Sequence, residues 1–503
     1  MRNLLRSWVP AVVLGLGLWG AAVNSADAKT DLEKQYGMGP YPYEVDDFVR
    51  PHPVRLRPFL RSLYIEGERN AVLNFNRVGI AAMELGEYRV AAWALDNALL
   101  RIESVYADNP TAKQALKKFS SEDVKDFKGE PYERAMAYYY RGLVYFMEGD
   151  FENARASFMS GEFQDTVAEQ EQFEADFAVL NFLAGWASKC DGSHDLADDY
   201  YGRAYEYSRS LQPPLPRDNT LLIAEMGYGP VKVGAGEHKE KLTFARGAGF
   251  SEARAVYVVD TEEATVVETK PKAQFVNTGG WGAQYATPVM QPQTETVYEM
   301  KTNSIDLSAG TSIYQQAATR GGRPVDHILE GKAQFKENMT KTGGFLKDAG
   351  TATALAGALG GDAGVAGIGI GVSALGGIFG GIGNKAKPAA DIRYWDGLPD
   401  AVAIKTTHLE FADVLTMQVR WEKDPDDPNY NERLAEETFP AMVASHPECT
   451  VIWARSRSSL KLGEHAPGAR LSWNQMKKRK KAVQAKDKTF REELELSIPI
   501  GDE

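Results

Sequence analysis

The chain has 503 residues, 43% hydrophobic and 25% charged, which is room for two or three domains with cores of their own. Its formal charge of −12 argues against a broad nucleic-acid-binding surface. With only two cysteines, Cys190 and Cys449, packing and not a disulfide framework must supply the stability.

The N-terminus reads as a secretory signal over residues 1–28. Arg2 and Arg6 form a basic end, Trp8 to Ala22 an apolar stretch, and Ala26-Asp27-Ala28 a small-residue cleavage site before Lys29. An uncleaved anchor helix is the alternative reading. Export to the periplasm or envelope would permit a disulfide. The two cysteines fall in different expected domains, however, so two separate buried thiols are the expectation.

Residues 29–59 are rich in Pro and Tyr, carry no helical period and read as a lead-in or cap. From residue 60 to 210 the pattern is helical. In GEPYERAMAYYYRGLVYFMEGDFENARASF, the residues Gly142, Tyr145, Gly149, Phe151, Ala154 and Phe158 alternate small and large at helix-hairpin spacing. Gly79, Gly86, Tyr88 and Ala91 carry the same pattern 63 residues earlier, and Gly185 and Ala197 repeat it 43 residues after Gly142 and Ala154. This resembles the tetratricopeptide (TPR) hairpin, with offsets longer than the 34 residues of a compact array. Extra helices at 109–126 and 166–177 are expected to separate the hairpins. Residues 60–210 therefore read as a TPR-like α-solenoid whose concave face would bind an extended peptide or a partner helix.

LQPPLPRDNT, residues 211–220, reads as a stiff Pro-rich linker between domains. Residues 221–324 show short β-type runs between Gly and Pro clusters such as GYGPVKVGAGEH, the first half of a β-rich domain. Residues 325–388 form a helix plus a Gly/Ala-rich hairpin. In its run from Ala349 to Gly383, Gly357 and Gly361, Gly367 and Gly371, and Gly376 and Gly380 recur four apart, the spacing of a glycine zipper. Val365 to Gly383 is 19 residues without a charge, near the ~20 that cross a bilayer. Tight internal packing, membrane contact through 349–383 and a flexible linker are the alternatives. Residues 389–460, with IRYWDGLPDAVAIKTTHLEF, LTMQVRW and CTVIWARS as strands, complete the β-rich domain, and residues 461–503 form a charged helical tail.

No catalytic arrangement is legible. The seven histidines form no H-E-x-x-H pair, no G-x-S-x-G elbow is present, and no phosphate loop or calcium loop occurs. No catalytic residue, no metal ligand and no cofactor is expected, and the protein reads as a non-enzyme. A cell-envelope enzyme with a dispersed site remains the third reading.

The stretches KDFKGEPYERAMAYYYRGLVYFMEGDFENAR, GYGPVK, the Gly-Ala run and ADIRYWDGLP occur in that order. Over roughly residues 60 to 420 the chain thereby resembles a little-characterised family of bacterial envelope proteins, often lipoproteins, with an N-terminal TPR-like domain. It departs from that pattern in lacking a lipobox cysteine and in its long C-terminal tail. The resemblance implies a Gram-negative periplasmic location and a role in envelope assembly, without catalytic residues. Taken together, the expectation is an α+β multidomain protein, a TPR-like solenoid followed by a β-rich domain interrupted by a Gly-rich helical hairpin. Its function would be that of an envelope scaffold or adaptor binding partner proteins through the solenoid. The alternative is a membrane-inserting or pore-forming component that uses the Gly/Ala hairpin. No nucleic-acid partner is expected, and the oligomeric state is open.

Overall fold

A computed structural model describes residues 42–103, 126–166, 177–236, 241–246, 252–277, 286–307, 310–318, 391–410, 414–423, 442–444, 449–461 and 481–500. The signal segment, the Gly/Ala run with its six zipper glycines, and the extra helices expected at 109–126 and 166–177 lie outside them wholly or almost wholly. The described chain is mixed α and β. No helix in it is long and apolar enough to cross a membrane.

The helices come first. α1 (Pro42–Val49) and α2 (Arg57–Glu66) precede a 3-10 turn at Gly67–Asn70. Helix therefore begins inside the stretch expected to be an irregular lead-in. Proline permits this: Pro42 opens α1 and Pro58 lies in the first turn of α2, where a missing N–H costs nothing. Three consecutive hairpins follow: α3 (Ala71–Glu84) with α4 (Tyr88–Glu103), α5 (Pro131–Glu148) with α6 (Phe151–Thr166), and α7 (Ala178–Cys190) with α8 (His194–Tyr207). Each helix packs on the next in chain order.

One contact recurs in all three hairpins. A side-chain carbon added at Gly79 would meet Leu95, at Gly142 would meet Phe158, and at Gly185 would meet Tyr201. The absent side chain lets the second helix lay a large residue against the backbone of the first. Ala91, Ala154 and Ala197, one turn away, are buried for the same reason. Gly86 (φ +76°) and Gly149 (φ +73°) close the first helix of their hairpins in the left-handed region, where glycine carries no steric penalty. Replacing Gly142 with Ala is expected to overpack this contact and cost about 1–3 kcal/mol. The urea midpoint should fall, and a compensating Phe158→Leu should restore part of it. An unchanged midpoint would contradict the packing argument.

The first helix of each hairpin is buried almost all round, whereas the second is half exposed. The cover is a β-sheet, built from β1 (Thr220–Met226), β6 (Gly310–Ser312), β7 (Ala401–Thr407), β9 (Met442–Ala444) and β10 (Thr450–Arg455), in the order β6-β7-β1-β10-β9. Strands from before and after the segment 319–390 thus share one sheet. At its centre β1 runs parallel to β10 and antiparallel to β7. TLLIAEM and TVIWAR are buried at every position, so they read as continuous apolar runs without alternation. Alternation is still present in space. Leu221, Ile223, Val451 and Trp453 enter a core shared with the helices, while Leu222, Ala224, Ile452 and Ala454 enter a second core.

The second core is closed by a sheet of β4 (Glu252–Asn277), β5 (Ala286–Leu307) and β8 (Val414–Lys423), in the order β5-β4-β8. A short hairpin, β2 (Val231–Ala235) and β3 (Lys241–Ala245), lies beside it in sequence, and α9 (Ile313–Ala318) follows β6. The protein is therefore layered: helices, a central sheet, an outer sheet.

Several expectations are corrected here. The Pro-rich stretch at 211–220 does not hold two domains apart, because β1 starts at Thr220 and one hydrophobic core runs from the helices into the sheet. Where short runs were expected within residues 221–324, the structure has two long strands, β4 and β5, of 26 and 22 residues. IRYWDGLP is not a strand, and regular structure begins only at β7. The cysteines are not separate thiols. Cys190, the last residue of α7, is disulfide-bonded to Cys449, just ahead of β10, with Cα atoms 5.6 Å apart. Layer contact is what brings together two cysteines 259 residues apart in sequence.

The charged tail contains a helix that packs on the body. In α10 (Lys481–Ser497), Phe490 and Leu494 are each 2% exposed. Phe490 sits edge-on to Phe75 of α3, with the Arg101 guanidinium over both rings. Trp93 of α4 donates its indole N–H to Ser497 Oγ. The helix therefore packs over the first hairpin.

Candidate functional site

The chemistry-bearing groups gather where helices and central sheet meet, and three sequence stretches converge there. Glu133 belongs to GEPYER at the start of α5, held by Pro131 in the first helical position. Its carboxylate accepts the backbone N–H of Glu130 at 2.7 Å and the backbone N–H of Trp395 at 2.8 Å. It also accepts a hydrogen bond from Lys232 Nζ, from GYGPVK in β2. Glu133 is 1% and Lys232 5% exposed. Burial raises the Glu133 carboxyl above its ordinary range, and Lys232 pulls it back. Phe127 floors this point, with the Lys232 ammonium and the Arg393 guanidinium over its ring.

The extended segment Asp391–Asp400 runs over the first helices of the first two hairpins. Arg393 bonds Asp391, the Asn70 side chain at 2.7 Å and the Arg69 carbonyl. Trp395, 1% exposed, packs against Tyr140 of α5. Asp396 pairs with Arg77 of α3 at 2.7 Å. The Gly397 carbonyl accepts from Arg455. The first-helix side of the hairpins is thus covered by this chain's own DIRYWDGLP and by the central sheet, where the concave face of a solenoid was expected to receive a partner's peptide.

Glu225 lies next to this segment, 1% exposed at the end of β1. It accepts from Tyr139 Oη at 3.1 Å, Tyr140 Oη at 2.8 Å and Trp453 Nε1 at 2.7 Å. Arg455 Nε stands 2.8 Å away, and Glu225 and Arg455 are register partners across the parallel pair. Arg455 also meets Glu84 of α3 at 2.6 Å, and Glu84 accepts from Ser458 Oγ and the Ser459 N–H. Burial pushes the Glu225 carboxyl up, against Arg455 and its hydrogen-bond donors. Burial first, and then the Glu225 charge, holds Tyr139 and Tyr140 well above the usual phenol range. All four groups around Glu225 are donors, an arrangement that the ionised carboxylate satisfies and the protonated acid does not.

These ionisable groups face one another across elements. Chemically the arrangement is a lock: it fixes two helices (α3 and α5), three strands (β1, β2 and β10) and an extended segment in one relative position. Among the described residues no three His, Cys, Asp or Glu side chains are grouped so as to hold a metal ion.

The residues nominated from sequence are placed differently. Gly79, Gly86, Tyr88, Ala91, Gly142, Gly149, Phe151, Ala154, Phe158, Gly185 and Ala197 all lie within or between the paired helices of the hairpins. Tyr145 lies under the Arg141 guanidinium, 3.6 Å from the ring centroid, on the way to Asp96 of α4. None of them joins the lock. Sequence reasoning left Glu84, Glu133, Lys232, Glu225 and Arg455 without a role. A signal for two of these existed: Glu133 and Lys232 stand inside the motifs GEPYER and GYGPVK. Glu225 and Arg455 are single charges at the ends of apolar strands, and that misfit was their signal. No family model, no curated protein and no solved structure matches the chain.

Proposed function

We propose that the protein is an exported scaffold or adaptor of the bacterial periplasm or envelope, built on a TPR-like α-solenoid that binds partner proteins. The observation that carries this reading is the turning inward of the buried ionisable groups. They are spent on holding the layers together, which leaves shape and surface, not reactive groups, to do the work. Because the inner face is filled in cis, the docking surface is the outer one, formed by α4, α6 and α8. Leu100 (66% exposed), Phe163 (58%) and Tyr207 (44%) stand on it. The Cys190–Cys449 bond supports export, since such bonds persist in oxidising compartments.

The test is a cross-linking pull-down from envelopes with the full chain and with a Leu100→Glu, Phe163→Glu variant. Both positions are exposed, so the fold and thermal midpoint should be unchanged while a specific partner is lost. Recovery of the same partners by both proteins would refute docking on this face.

A further inference from the structure

The outer sheet ends in an unusual edge. β4 pairs with β8 only between Glu252 and Thr261, and beyond that point the described sheet narrows to the two-stranded ribbon of β4 and β5. Such a ribbon is marginal in water by itself. Among the described residues no strand pairs with the outer side of β5. Pro288 and Pro292 lack N–H groups and break that edge toward the ribbon tip. The part nearer the body, Thr294 to Thr302, has no proline, and every side chain in it is exposed.

Alternation sorts this part into two faces. Thr294, Thr296, Tyr298, Met300 and Thr302 share one, without a charge. Tyr298 is 63% and Met300 71% exposed. Val266, the register partner of Thr296, is 66% exposed on the same face. Glu295, Val297, Glu299 and Lys301 share the other face. A long exposed edge beside uncovered apolar side chains is a template for strand addition.

We propose that a second copy of this chain adds its own β5 to this edge, antiparallel, about a two-fold axis at Tyr298. A two-fold axis perpendicular to the sheet keeps each face on its own side and makes the contact self-complementary. Charge selects the register. With Tyr298 opposite Tyr298, Glu295 of each copy stands opposite Lys301 of the other, and Thr296 opposite Met300. Moving the axis to Val297 sets Glu295 against Glu299, and moving it to Glu299 sets that residue against itself. Directly opposed like charges disfavour both. An axis at Met300 would pair Glu299 with Lys301 but would separate the two tyrosines, whose contact adds to a strand pair. The contact joins two three-stranded sheets into one and sets Thr296, Tyr298 and Met300 of each copy beside those of the other. It is independent of the outer helix surface proposed for partner docking.

The experiment uses the full chain, in which the native cysteines are already bonded to each other. Directly opposed Cβ atoms lie ~4.5–5.5 Å apart, so Tyr298→Cys should give a covalent dimer on mild oxidation, whereas Thr296→Cys and Met300→Cys should not. By light scattering, Glu295→Lys should weaken the dimer about tenfold or more, and adding Lys301→Glu should restore it. The proposal is overturned by a wild-type protein that stays monomeric at tens of micromolar, by cross-linking at Met300→Cys in place of Tyr298→Cys, or by a Glu295→Lys defect that Lys301→Glu does not repair.

Discussion

Glu225→Ala is expected to destabilise the protein by about 3–5 kcal/mol, the range for removing one partner of a buried ion pair. The loss has two parts. Tyr139, Tyr140 and Trp453 each lose the acceptor that their buried donors require. Arg455 is left with Glu84 as its remaining carboxylate. Glu225→Gln should do little better, because its amide turns a donor toward a ring of donors. Tyr139→Phe, by contrast, leaves Glu225 its other three partners and should cost about 1 kcal/mol. Urea unfolding followed by tryptophan fluorescence and by far-ultraviolet circular dichroism would measure this. An alanine variant within 0.5 kcal/mol of wild type would show that the cluster does not hold the layers.

Loss of the disulfide is the second large effect. The bond closes a loop of 259 residues, for which the chain-entropy relation gives about 5.6 kcal/mol. It joins the end of the last hairpin's first helix to the start of β10, so its loss also frees the helical layer to separate from the sheet. A Cys190→Ala, Cys449→Ala variant should therefore unfold at a clearly lower urea concentration, by about 2–5 kcal/mol. Dithiothreitol should move the wild-type midpoint toward that of the variant and leave the variant where it is. If the reductant shifts both equally, or neither, the bond is not a structural staple. With only two cysteines in the chain no mispaired isomer can form, so the comparison is clean.

The two predictions concern the same interface from different sides. The disulfide narrows the unfolded ensemble. The Glu225 and Glu133 clusters act in the folded state by making one relative placement of the layers better than its neighbours. A buried carboxylate held by three hydrogen-bond donors and an ion pair tolerates little sliding, so such groups specify a position even where their net contribution to stability is modest.

Local rules explain what could be read from the chain. The hairpin pattern was legible because each small residue answers a large one at a fixed offset, and Gly79 with Leu95, Gly142 with Phe158 and Gly185 with Tyr201 obey short-range helix geometry. The change from helical to β composition near residue 220 was legible because side-chain periodicity is itself local. The sequence by itself thus determined that helices precede a β-rich region, and the small-to-large packing within each hairpin. Only the tertiary structure decided that DIRYWDGLP covers the first helices of the hairpins, that Glu133, Lys232 and Trp395 meet at one point, that Glu225 faces Arg455, and that Cys190 reaches Cys449. Each of these contacts joins residues far apart along the chain. Such pairings are set by how whole layers stack, which no window of neighbouring residues contains.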